Sequence, residues 1–215
     1  DGIRDSVASR GLGDVYKRQP LYRSNFDENK SDNKWLKRAA SRMDAKECSD
    51  DPLFVELVEA LHSLSPSADS AYYLGILKDK AGNTTEAIAF YEESLTLESD
   101  AYRKAEILYK IAAKLKKRGL KSQARKYAKQ ALSNKPSMGK AYILIAGLYA
   151  DSANDCGNNQ FEKQAVYWLA AKTARRAAIV DPSLKKTSQK LEASYNGRAP
   201  SKTDIFTQGK AGEVI

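Results

Sequence analysis

Between residues 108 and 115 the apolar side chains fall at Leu108, Ile111, Ala112 and Leu115, the i, i+3, i+4, i+7 spacing of one helix face. Gly119 then predicts a left-handed stop. A second helix is expected from about Ser122 to Ser133, with Ala124, Ala128 and Ala131 along one side and Pro136 ending it. Alanines at that spacing let two helices approach closely. The unit is a pair of helices joined by a short turn.

The same order recurs on either side. Upstream, Leu74 and Gly75 follow Ala71, and Ala87, Tyr91 and Ser94 line the next helix. Asn83 and Glu86 stand three apart ahead of that helix, the spacing of a capping box. Downstream, Tyr142, Ile145, Ala146 and Tyr149 repeat the first-helix stripe, with Tyr142 lying 34 residues after Leu108. A polar insertion from Asp151 to Gln160 separates this stripe from a helix carrying Trp168, Ala170, Ala174 and Ala177 and closed by Asp181 and Pro182. A final helix from about Ser183 to Tyr195, apolar at Leu184, Leu191 and Tyr195 among lysines, is expected to cap the series. Residues 197–215 read as an extended tail.

Ahead of the repeats, Lys34 to Lys46 and Asp51 to Ser63 predict a further, degenerate helix pair. Asp51 is its N-cap and Pro52 its first helical residue, and Leu53, Phe54, Leu57, Val58 and Leu61 form a broad apolar face. Residues 1–19 lack helical or strand periodicity and resemble a translated sequencing-adapter scar. The expected organisation is therefore 1–19 outside the fold, 20–66 a degenerate repeat, 67–196 three repeats plus the cap, and 197–215 the tail. The end at Gly212, Glu213, Val214 and Ile215 leads us to read the chain as an internal fragment.

Three units of helix, turn, alanine-rich helix and proline or polar turn resemble the tetratricopeptide pattern W-x2-L-G-x2-Y, then A-x3-F, then P, in a unit of about 34 residues. The match is partial. Leu108 stands for the Trp, Leu115 for the Tyr and Ala128 for the Phe, whereas Leu74-Gly75 and Ala87-x3-Tyr91 follow the pattern more closely. The resemblance covers residues 68–195. It implies an all-α, right-handed α-solenoid of helix hairpins with a C-terminal capping helix, acting as a protein-protein interaction scaffold. Three segments, Ala141 to Ala146, Ser152 to Gly157 and Phe161 to Trp168, also look like an exported repeat family of Bacteroidota, which implies a periplasmic or cell-surface setting.

In the resembling fold the first helix of each pair lines a concave groove. The corresponding positions are Tyr72, Ile76, Tyr109, Ala113, Lys116, Ile143 and Gly147. A mostly apolar groove suits an amphipathic helix or extended peptide anchored by large side chains. The alternative is that Tyr72, Tyr109 and Ile143 are contacts between adjacent helices or lie under the chain's own tail. Lysine and asparagine positions that would clamp a partner's terminal carboxylate are not evident, so an acidic C-terminal tail is the disfavoured ligand.

Charge changes this picture at one place. Residues 101–135 hold twelve Lys or Arg against the single Glu106, a local net charge of +11 where the whole chain carries +9. Lys110, Lys114, Lys117, Arg118, Lys121 and Arg125 form the candidate basic patch, fit for an acidic protein surface or, as the alternative function, nucleic acid or another anionic polymer. A solvated outer face accounts for the same residues. Nucleic acid ranks below a protein partner, because aromatics on a repeat helix, such as Tyr109 and Tyr127 among these basic residues, more often pack than stack on bases.

Catalytic chemistry finds no pattern to rest on. His62 has no acidic or nucleophilic motif around it, and Asp151, Asp155 and Glu162 fail the calcium-loop spacing. No phosphate loop, nucleophile elbow or dinucleotide fingerprint appears, so no cofactor and no metal is expected. Cys48 and Cys156 form no CxxC pair and read either as a single disulfide or as two separate thiols. No apolar run is long enough to span a bilayer. The pattern sets no oligomeric state.

Overall fold

The structure, a computed structural model, describes residues 20–46, 48 and 51–209. The segment read as an adapter scar and the last residues of the expected tail lie outside them. All regular structure among the described residues is helical. The chain divides between Glu98 and Ser99 into two compact units, within the stretch read as three repeats.

Among the described residues the first unit holds five helices: α1 over 20–29, α2 Asn33–Ala45, α3 Pro52–Leu64, α4 Ala68–Lys80 and α5 Thr84–Leu97. Its core is the apolar face foreseen on α3, with Leu53, Phe54, Leu57, Val58 and Leu61 all buried against Leu36, Ala40 and Met43 of α2 and Tyr73 and Leu74 of α4. Asp51 caps α3 as expected, accepting the Leu53 N–H at 2.8 Å, with Pro52 in the first turn. Helix α1 was not anticipated. Its Tyr22 and Phe26, one helical turn apart, pack on the same core, and the Tyr22 ring meets Trp35 edge-on at 5.9 Å.

The pair α4 and α5 fits closely because glycine and aromatic ring meet. A Cβ on Gly75 would lie 2.5 Å from Tyr91 Cδ1, so only a hydrogen leaves room for the buried Tyr91 ring. Buried Ser94 on α5 donates its hydroxyl to the Ala68 carbonyl at 2.7 Å, tying the far end of the pair. The capping box expected at Asn83 and Glu86 does not form. Asn83 sits at φ −80° and ψ 66° and its side chain caps nothing, while Glu86 pairs instead with Lys78 at 2.8 Å. A capping box does start α4, where Ser67 and Ser70 satisfy each other's backbone N–H groups.

The second unit comprises α6 Ala101–Lys117, α7 Lys121–Asn134, α8 Gly139–Asp151, α9 Gln160–Val180, α10 Lys185–Asn196 and α11 Lys202–Thr207. Between α6 and α7 the chain turns at Gly119, whose φ of 75° is the left-handed stop predicted for it. Ala124, Ala128 and Ala131 of α7, and Ala170, Ala174 and Ala177 of α9, are fully buried. Small side chains on these second helices bring α7 onto α6 and α9 onto α8. Helix α10 packs along α9 and is pinned there by buried Ser188, which donates to the Ala174 carbonyl at 2.6 Å.

Three boundaries differ from expectation. The insertion after α8 is not all loop, since Ala153–Asp155 forms a 3-10 turn buried at Ala153. The capping helix starts at Lys185 rather than Ser183, because Pro182–Leu184 is itself a 3-10 turn capped by Asp181. Within the supposed extended tail, α11 forms from a capping box in which Ser201 Oγ accepts the Asp204 N–H and the Asp204 carboxylate accepts the Ser201 N–H. Cys48 and Cys156 are both free thiols.

Candidate protein interface

Five of the seven groove positions belong to the second unit, and the structure sets their helices side by side. Tyr109, Ala113 and Lys116 on α6 and Ile143 and Gly147 on α8 are all half-buried. Lys140 Nζ lies 4.7 Å above the centre of the Tyr109 ring and pairs with Glu106, while Lys135 Nζ reaches the same carboxylate at 3.7 Å. Two turns along, Lys116 runs across the bare backbone of Gly147. A Cβ there would come within 2.7 Å of the ammonium nitrogen, which pairs with Asp151 at 3.1 Å. The result is a strip in which Tyr109, Ala113 and Ile143 stand between two fixed cations, Lys140 and Lys116.

Tyr72 and Ile76 belong to the first unit and have a different setting. Both pack against the α2–α4 core, and the Tyr72 ring lies 5.9 Å from Tyr73 and 5.8 Å from the buried Tyr91. Burial pushes the Tyr91 phenol well above its ordinary range, with Asp79 adding to the shift. The half-buried Tyr72 ring thus touches side chains of both α4 and α5.

The basic patch is less free than its charge suggests. Lys121 donates to the Asp151 carbonyl at 2.6 Å and to Asp155 at 2.7 Å, and the Arg125 guanidinium lies 5.2 Å over the Tyr149 ring. Lys110 and Lys114 are half-buried, whereas Lys117 and Arg118 are exposed at the end of α6. Glu106 to Lys140 and Lys121 to Asp155 each span 34 residues, so charges at matching places of successive hairpins face each other. Excess positive charge on the α6–α7 hairpin is partly offset by acids of the next one.

Those contacts also give the insertion carboxylates their roles. Asp151 and Asp155 receive lysines, and Glu162 accepts the Asn158 N–H at 2.7 Å and the Asn159 side-chain amide at 3.1 Å at the start of α9. No group of three or more His, Cys, Asp or Glu among the described residues is placed to hold a metal ion. His62 joins three helices: Nδ1 is 3.0 Å from the Ser70 hydroxyl, Nε2 is 3.7 Å from Glu93, and Phe90 meets the ring edge-on. Among the described residues, no helix is long and apolar enough to cross a membrane.

Three features escaped the sequence reading. Lys140 was passed over, although its distance from Glu106 equals the repeat length. Tyr167 and Arg198 border an open polar pocket of about 570 Å³ that also includes Lys163 and Gln164; behind it the Tyr167 ring stacks on Tyr195 at 6.4 Å, and burial pushes the Tyr195 phenol up. An apolar groove of about 340 Å³ lies along α9 beside Tyr142.

Comparison with known proteins agrees with the hairpin architecture. No family profile matches the chain. It is 33% identical over 110 residues to the photosystem I assembly protein Ycf3 of Cyanophora paradoxa, spanning 47% of this chain and 64% of that protein. The Ycf3 of Cuscuta gronovii is 30% identical over 112 residues, 48% of this chain and 67% of its own. The chain thus spans about two thirds of the length of the curated relatives it matches. Two crystal structures of MamA share the fold, with TM-scores of 0.62 and 0.65 at 19% and 18% identity; each covers 83% of this chain, and 89% and 95% of the MamA chains are matched.

Proposed function

Because the chain belongs to the tetratricopeptide-repeat proteins, we propose that it is a scaffold that holds a polypeptide partner along the face shared by α6 and α8. The observation that carries this reading is the strip of Tyr109, Ala113 and Ile143 held half-open between Lys140 and Lys116. An aromatic ring with a cation fixed over one face is already ordered, so a partner side chain that packs against it meets a small entropic cost. Lys116, lying across Gly147 and paired with Asp151, closes the other end of the apolar surface. A peptide with large apolar side chains fits this arrangement. That relatives with this build include an assembly protein is in keeping with such a role.

The rival reading, an anionic polymer held by Lys110, Lys114, Lys117, Arg118, Lys121 and Arg125, is weakened by the internal engagements of Lys121 and Arg125. One experiment separates the two. A photo-crosslinking residue is placed at 143, and separately at 118, and each protein is incubated with cell extract at low and high salt. We expect a polypeptide adduct at 143 that survives salt and falls about tenfold when Tyr109→Ala is added. Nucleic acid captured at 118 alone and released by salt would overturn the proposal.

A further inference from the structure

Helix α9 has two faces of opposite kind. Ala170, Ala171, Ala174 and Ala177 share the side buried in the unit, whereas Leu169, Lys172, Thr173, Arg176 and Ile179 fall on the other at i, i+3, i+4, i+7 and i+10. Leu169 is 45% exposed and Ile179 is 63% exposed, and it is their sharing of one groove, rather than the exposure of either alone, that marks the surface. With Tyr142 of α8 they line the open groove of about 340 Å³. The Thr173 hydroxyl donates to the Leu169 carbonyl at 2.7 Å, so its polar atom is already bonded within the helix.

Three cations border this groove: Lys172, Arg175 and Arg176. Arg175 reaches Glu192 of α10 only at 3.9 Å, and Lys172 and Arg176 are exposed. Residues 169–180 contain no acid. The surface is therefore an apolar strip inside a positive border. Its two aliphatic ends stand about 15 Å apart along the helix axis.

The geometry points to a second docking site here, for an acidic amphipathic helix of a partner protein. A helix laid along α9 with apolar residues at i, i+3 or i+4, i+7 and i+11 covers that length and places carboxylates on both flanks opposite Lys172, Arg175 and Arg176. Borders of like charge exclude a basic helix. This surface is separate from the α6–α8 face, and neither reading requires the other.

The test uses the full 215-residue chain and a fluorescein-labelled synthetic peptide of about 16 residues, with leucines at those spacings and glutamates beside them. A peptide of equal composition with the leucines spread around the helix is the control. Anisotropy titration is expected to show saturable binding of the first peptide. Ile179→Asp, and separately the pair Lys172→Glu and Arg176→Glu, are each expected to weaken it at least about tenfold with unchanged circular dichroism. Amide and methyl shifts should move at Tyr142, Leu169 and Ile179. Equal binding of the control peptide, or shifts confined to Tyr109 and Ile143, would overturn the site. So would a concentration-dependent dimer of the chain that Ile179→Asp abolishes, since the occupant would then be a second copy.

Discussion

Gly75 is a packing residue before it is a backbone one. Its helix is regular, and what it supplies is the missing methyl against which the Tyr91 ring lies. Tyr91 is buried and backed by Tyr72, so it has nowhere to withdraw. Gly75→Ala is therefore expected to destabilise the first unit by about 1 to 3 kcal/mol, read as a lower midpoint in denaturant at unchanged slope. An unaltered midpoint would mean that α4 and α5 can part without cost. The sequence announced this residue and the alanines of α7 and α9 because close approach admits few side chains. It misled at Asn83, where a cap depends on backbone angles as well as residue type. Ser67, at φ −149° and ψ 165°, has the extended backbone an N-cap needs, and Asn83 does not.

At the scale of elements, periodicity located the helices of the three repeats and of the pair before them, and their ends shifted by only a few residues. The elements it missed are those too short for a period to show. Helix α1 offers only Tyr22 and Phe26 on the core, and α11 is a six-residue helix with no buried side chain. The signal for α11 was its start, Ser201 followed three residues later by Asp204. Hydrogen bonds from the Ser201 hydroxyl and then its backbone N–H hold the Asp204 carboxyl below its usual pKa. A carboxyl lowered in the folded state stabilises fully above its unfolded value, about 3.9, and that support is lost as pH falls through the lowered value. Amide protection in α11 should thus collapse below about pH 4, and Asp204→Asn should remove this dependence on pH. The same acid profile in the variant would show that the cap is not the titrating element. The candidate interface was half legible. Tyr109, Lys116 and Gly147 were placed by repeat position, but Lys140, the other cation that frames the strip, lies on the next hairpin and was visible only through its separation of 34 residues from Glu106.

For the whole molecule, the division between Glu98 and Ser99 gives each part its own buried residues. Repeat proteins gain stability chiefly from nearest neighbours, so residues 99–215 alone are expected to keep their helicity and to melt cooperatively. A broad, uncooperative melt with collapsed methyl dispersion would show that the second unit depends on the first. Within that unit the lysines of α6 and α7 meet carboxylates that arrive one hairpin later: Lys116 with Asp151, Lys121 with Asp155. Exposed pairs of this kind add little stability, of the order of 1 kcal/mol or less each. Their effect is on sequence order. Modules of a solenoid are often treated as interchangeable beads, yet here the basic hairpin is written to precede the one bearing Asp151 and Asp155. A shuffled chain would keep every helix and every alanine contact in kind, and would leave these lysines without the acids that answer them.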